Sequence, residues 1–160
     1  MNIEKAIQWT LSKKWQPDYI LTEGFVKKLH KRMFNEVWSW AGEFRKTNKN
    51  IGVDKYQIGV SLKQLLDDAL FWLKNKTYSD EEFAIQFKHR IVKIHCFPNG
   101  NGRHSRLIAD IIISQIFGNP IFTWNGSNLN RKGEARSNYL TAIKLADNGD
   151  IKPLIKFAKT

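Results

Sequence analysis

The segment His95-Cys96-Phe97-Pro98-Asn99-Gly100-Asn101-Gly102-Arg103-His104-Ser105-Arg106 brings together the residue types needed to hold a phosphate and move a proton beside it. Gly100 and Gly102 permit a backbone with positive φ and leave N–H groups uncovered by side chains. Pro98 stops a helix from running into the segment, and an apolar helix begins directly after Gly102. Successive free N–H groups then meet the positive end of a helix macrodipole, an arrangement that attracts anions. Arg103 and Arg106, three apart, share one face of the new helix's first turns. Cations oppose the dipole at that end, so two arginines there point to an external anion, most simply a di- or triphosphate. His95, at the edge of such a pocket, is suited to act as a general base near neutral pH.

The elements that must position these residues read as helices. Apolar residues recur at helical spacing over 22–40 with Thr22 as N-cap, and over 61–74 with Ser61 as cap. Ser79 and Glu82 form a capping-box pattern that opens a helix running to Ile94. Residues 103–117 form a strongly apolar helix stopped by Gly118-Asn119-Pro120, followed by helices over 132–147 and 151–159, the last with Pro153 in its first turn. The N-terminal MNIEKAIQWTLSKKW reads as an amphipathic helix rather than a signal peptide. Only 43–60 breaks the pattern, and its β-branched residues mixed with Asn, Gly and Asp predict a loop or short hairpin. The expected fold class is all-α, a compact bundle with one hairpin-like insert.

Composition bounds the function. The chain has 160 residues, 42% hydrophobic and 12% aromatic, enough for one domain with a sizeable core. A formal charge of +11 implies a polyanionic partner, nucleic acid or a phosphorylated small molecule. The single cysteine, Cys96, excludes an internal disulfide and a cysteine zinc site, and suits a reducing, cytoplasmic setting. No stretch approaches the roughly 18 apolar residues of a membrane helix.

HCFPNGNGRHSR resembles the active-site motif of the Fic (Fic/Doc) family, HxFx(D/E)GNGRxxR. His95, Phe97, Gly100, Asn101, Gly102, Arg103 and Arg106 match seven of its eight fixed positions. The Trp40-Ala41-Gly42-Glu43-Phe44-Arg45 segment resembles the family's lead-in to a flap hairpin, and Ala146–Asp150 resembles its C-terminal part. The string LHKRMFNEVWSWAGEFRKTNKNIGV looks closest to the small subgroup called mobile mystery protein B. The resemblance spans roughly 20–158 of a single 1–160 domain, with the flap at about 44–58 and the active-site loop at 95–106.

The resemblance implies an all-α Fic-like bundle with a β-hairpin flap, and a protein adenylyltransferase that moves AMP from ATP to a Ser, Thr or Tyr hydroxyl of a target protein. His95 would take the hydroxyl proton, and Phe97 would anchor the loop in the core. Gly100, Asn101 and Gly102 would bind the α- and β-phosphates, while Arg103 and Arg106 would neutralise the leaving pyrophosphate. The flap would hold the target as an added strand, with Ile51, Gly52, Val53 and Ile58 as contacts. Asn99 stands where the family has Asp or Glu, the usual Mg²⁺ ligand. A neutral carbonyl oxygen is a poorer ligand for a hard cation, so both the metal and the identity of the transferred group stay open. Ser39–Glu43 and Thr77–Glu81 have the spacing of the family's inhibitory (S/T)xxxE(G/N) motif but lack its last residue. Control by a separate antitoxin or inhibitor protein is therefore expected.

Other candidates have plainer readings. His30 and His89 read as ordinary helix residues, His104 as a bystander, Cys96 as packing, and Asp67-Asp68 as a solvated edge. Tyr139 either borders a base pocket or packs in the core. Two alternatives remain beside adenylyl transfer. One is the same fold transferring another phosphate-containing group; the other is a catalytically silent basic module for nucleic acid, although no nucleic-acid motif stands out.

Overall fold

The computed structural model describes residues 3–126, 129 and 132–160. Among the described residues, eight α-helices carry the architecture: α1 (Ile3–Leu11), α2 (Pro17–Ile20), α3 (Glu23–Phe34), α4 (Ile58–Asn75), α5 (Asp80–Ile94), α6 (Asn101–Ile111), α7 (Glu134–Asp147) and α8 (Lys152–Lys159). Met1 and Asn2, part of the expected N-terminal helix, lie outside the described residues.

Local chemistry explains most boundaries. Thr22 caps α3, its hydroxyl accepting from Phe25 N at 3.1 Å, and Ser79 caps α5 by accepting from Glu82 N at 3.3 Å. α3 stops at Phe34, short of the expected residue 40. The chain turns there so that Trp38 and Trp40 can stack, ring centroids 4.6 Å apart. α4 starts at Ile58 rather than 61, because Asp54 accepts from Tyr56 N and starts a short 3₁₀ turn, Lys55–Gln57, that feeds the helix directly. α6 starts at Asn101 and widens into a π-turn over Ile112–Ile116 before Gly118, at φ 68°, ends it.

α5 and α6 pack against each other on either side of the 95–100 loop, with α4 and α8 also against α5, α3 against α6, and α7 on α8. The core between them is aromatic and branched, with Phe25, Phe34, Phe83, Phe87, Leu62, Leu65 and Ile108 almost wholly excluded from solvent. Loop 95–100 thus joins two buried helices, which gives it a rigid mounting.

The expected β-hairpin flap does not form: no strand occurs among the described residues. Residues 43–54 run as turns with backbone bonds to the end of α5 and the loop after it, Arg45 N to Cys96 O at 2.9 Å and Val53 N to Ile94 O at 3.3 Å. A side chain replaces the ladder. The guanidinium of Arg45, only 3% exposed, donates to the carbonyls of His95 (2.5 Å), Thr47 (3.0 Å), Ile94 (3.3 Å) and Val53. Asn48 closes the turn, accepting from Lys55 N at 2.8 Å and donating to Asp54 at 3.1 Å. With its carbonyls already engaged, the segment has no need of a partner strand. Ile58, expected as a flap contact, is instead the first residue of α4 and is buried.

Candidate active site

The loop that follows α5 opens with His95 in the left-handed region (φ 59°, ψ 60°), a conformation that only a well-held non-glycine residue adopts. Three interactions hold it. Arg45 grips its carbonyl. Gly52 presses against its side chain: at φ 94°, a Cβ on Gly52 would lie 2.7 Å from His95 Cβ. Asn101, on the far side of the loop, staples the backbone at Phe97, accepting from its N–H at 3.0 Å and donating to its carbonyl at 2.8 Å. The Asn101 side chain is thereby consumed inside the loop, leaving only its main chain to face an anion.

Phe97 is fully buried between two histidines. His30 stacks on its ring at 3.8 Å, and His104 meets it edge-on at 5.1 Å. His30 Nδ1 accepts from Gly42 N at 2.9 Å, so Nε2 carries the proton and donates to Asn99 O at 3.0 Å. His104 Nε2 pairs with Val26 O at 2.9 Å. Burial holds both rings neutral, His30 down to about 4 and His104 down to about 3. Far from being a plain helix residue and a bystander, these two histidines tie the loop to α3. Only the fold reveals this, because a lone histidine in a helical pattern carries no mark of its partner.

The anion-facing side follows. Gly100, at φ 80°, caps α6 in a space that no side chain could enter, since a Cβ would lie 2.7 Å from Phe34 Cε2. The first backbone donor inside α6 is His104 N, bonded to Gly100 O at 3.0 Å. The N–H groups ahead of it, at Asn101, Gly102 and Arg103, therefore point out of the helix end. Arg103 lies over Phe34 (4.9 Å) and Trp38 (5.9 Å), and Arg106 over Tyr139 (5.4 Å). Burial and the charge of Arg106 both lower the Arg103 pKa, so the two guanidinia are close enough to repel. An anion between them relieves that repulsion.

A cleft of ≈ 530 Å³ opens in front of this helix end, with Gly102 and Arg106 on one wall, Ile51 and Gly52 on another, and Tyr139 and Ile143 opposite. His95, half-buried, packs against Gly52 of the cleft wall. Its pKa is lowered, first by burial and then by the charges of Arg45 and Lys49. Val53 faces a separate shallow groove with Ile94 and Val60. Asn99 is exposed, and its Oδ1 accepts from Gly100 N at 2.8 Å. Tyr139 is buried, as the core reading expects, and it also lines the cleft. His89 bonds Asp147 at 2.7 Å, joining α5 to the cleft's α7 wall. Cys96 is buried, its thiol pushed up to about 12, as suits packing rather than reactivity.

Known proteins share this fold. The structure aligns with Fic-1 from C. elegans at a TM-score of 0.77 and 21% identity, covering 99% of this chain and 46% of that one. It also aligns with the Bartonella tribocorum BepC protein, solved with bound AMPPNP, at a TM-score of 0.72 and 20% identity, covering 98% and 80%. In sequence, the chain is 28% identical over 136 residues to the protein adenylyltransferase Fic of Drosophila grimshawi and to that of Drosophila melanogaster. Each alignment covers 82% of this chain and 26% of the relative, so the chain spans about a quarter of the length of the curated relatives it matches. The family model described as Fic/DOC family matches residues 20–113, which include α3 to α6 and the whole His95–Arg106 segment, and the chain belongs to that family.

Proposed function

We propose that this chain is a Fic-type protein adenylyltransferase that moves the AMP part of ATP to a Ser, Thr or Tyr hydroxyl of a target protein. The observation that carries this reading is the convergence of a half-buried His95, kept in its base form, with a helix N-terminus whose outward N–H groups are flanked by Arg103 and Arg106. The relatives named protein adenylyltransferase and the AMPPNP bound to BepC support ATP as the donor.

In this reading the triphosphate lies along the N–H groups of Asn101, Gly102 and Arg103. The target's hydroxyl oxygen bonds to the α-phosphorus as the bond to the β-phosphate's bridging oxygen breaks. His95 accepts the hydroxyl proton, and pyrophosphate departs with its charge met by Arg103 and Arg106. Such transfers depend mainly on positioning and preset charge. Phe97, His30 and His104 supply the rigidity, and Arg45 holds His95 by its carbonyl. The target segment runs past Ile51, Gly52 and Val53, in extended form beside the cleft.

The described residues do not form a magnesium site of their own. No group of three His, Cys, Asp or Glu residues clusters among them, and Asn99 turns its only oxygen ligand onto Gly100 N. A hard divalent cation prefers charged oxygen, so Asn99 would hold magnesium less well than a carboxylate. The same departure favours a second reading, transfer of a different phosphate-containing group from a donor other than ATP. Inhibition belongs to a separate protein in our proposal, one that sets a carboxylate between Arg103 and Arg106. Glu81, part of one motif-like stretch, is instead paired with Lys159 at 2.9 Å and begins α5 at the end opposite His95.

Incubating the full chain with ATP labelled on the α-phosphate and a lysate, then repeating with His95→Ala, tests the proposal. His95-dependent label on protein is expected. A mass increment matching phosphate or another nucleotide selects the second reading, and no label with any donor overturns both.

A further inference from the structure

Lys88 is wholly buried in α5, seven residues before His95. Its Nζ donates to the Tyr139 hydroxyl oxygen on α7 and lies 4.9 Å from the ring centroid. The Arg106 guanidinium carbon lies 5.4 Å from the centroid of the same ring. Two cationic side chains therefore converge on one phenol at the floor of the cleft.

Among the described residues, neither Lys88 nor Arg106 has a carboxylate at ion-pair distance. The acids nearby are committed elsewhere. Asp110, one turn along α6, accepts from Phe122 N (3.2 Å) and Trp124 Nε1 (3.1 Å), and Asp147 is held by His89. Burying an ammonium without a counter-charge is costly, and an apolar residue of the same length would join α5 to α7 more cheaply. The arrangement makes sense for orientation. A carboxylate beside Arg106 would neutralise it and compete with a phosphate. A phenol oxygen, with two lone pairs, accepts from Lys88 and keeps a second lone pair for Arg106, whose charge it leaves intact. The guanidinium's remaining donors are then turned to the cleft.

We propose that Lys88 and Tyr139 are positioning residues for phosphate binding: Lys88 fixes the Tyr139 hydroxyl, and that hydroxyl orients Arg106 toward a di- or triphosphate in the cleft. The inference rests on the reading of Arg106 as a phosphate ligand.

Titration calorimetry of inorganic pyrophosphate and of AMPPNP into the full chain tests it, with Tyr139→Phe, Lys88→Met and the double variant, each melted in parallel. Tyr139→Phe keeps the ring and removes the oxygen; its affinity for pyrophosphate is expected to fall roughly ten-fold. Lys88→Met is expected to bind similarly weakly, yet to melt no lower than the native chain, since it removes a buried amine. A purely structural tie would instead lower melting temperature and affinity together. The double variant is expected to bind within about two-fold of the weaker single one, because both act through Arg106. If Lys88→Met does not fold, the Tyr139→Phe affinity decides alone. Native-like affinity in a folded Tyr139→Phe chain, or losses that multiply in the double variant, overturns the inference while leaving the phosphate reading standing. Failure of the native chain to bind either ligand overturns both.

Discussion

Arg45 and His95 are fifty residues apart in sequence, yet the buried Arg45 guanidinium donates to the His95 carbonyl at 2.5 Å. The contact fixes the one non-glycine residue in the loop that adopts a left-handed conformation, and it sets a positive charge beside the imidazole. Residues 43–54, the loop after α5 and His95, the base in our proposal, are thus one mechanical unit.

Replacing Arg45 by Met leaves buried carbonyls of Ile94, His95 and Val53 short of donors. A loss of about 2–4 kcal/mol in unfolding free energy is expected, read by urea denaturation. Because the Arg45 charge lowers the His95 pKa, the variant's His95 pKa should rise, as followed by NMR titration of the ring protons. An unchanged His95 titration would count against the electrostatic role.

Gly52→Ala forces a Cβ to within 2.7 Å of His95 Cβ and 3.0 Å of the Ile94 carbonyl, at a φ of 94° that alanine avoids. Stability should drop by about 1–3 kcal/mol. Transfer activity should fall further than stability, since the displaced atom belongs to His95. Comparing melting temperature with the rate of label transfer separates the two effects.

The histidines behind Phe97 make acid stability predictable in sign. His30 and His104 titrate near 4 and 3 in the fold against 6.5 when unfolded, so the unfolded chain binds protons first. Their contribution is complete above pH 6.5 and is lost as pH falls below it, at up to about 1.4 kcal/mol per pH unit for each group. His89, also lowered by burial, acts in the same direction. Asp110 opposes them: with its pKa raised from 3.8 to about 7, it stabilises the fold as pH falls through that window. The clean measurement is a difference. His30→Gln should show a shallower decline in unfolding free energy between pH 6.5 and 4 than the native chain, and an identical slope would refute the buried neutral His30.

Transfer activity should decline on the acid side as His95 protonates, with a midpoint below 6.5, since burial and the Arg45 and Lys49 charges depress its pKa. The pH–rate profile of labelled transfer measures this, and a midpoint above 6.5 would remove His95 from the base role.

Asn99→Asp restores a carboxylate where the chain offers only an amide, while the Oδ1 acceptor for Gly100 N is retained. Less magnesium should then be needed to reach half-maximal transfer. A magnesium titration of both proteins shows whether the residue governs metal use.

Much of this molecule is written locally. Thr22 and Ser79 mark helix starts because a cap bonds a donor only three residues away, and α3, α5 and α6 follow from apolar spacing. The proposed Gly100–Arg106 anion site is legible too, because a glycine turn, a helix start and two arginines at i, i+3 are neighbours in the chain. What the sequence could not disclose was where polar groups go when they are buried. His30 meets Asn99 across 69 residues, Lys88 meets Tyr139 across 51, and Arg45 disappears beneath the loop. Nothing in residue type separates those side chains from solvated ones, since their burial depends on partners that only packing supplies. The same holds for the flap. Its composition suits a hairpin, but strands need a ladder partner, and a single buried guanidinium already holds the Thr47 and Val53 carbonyls and ties the segment to the end of α5.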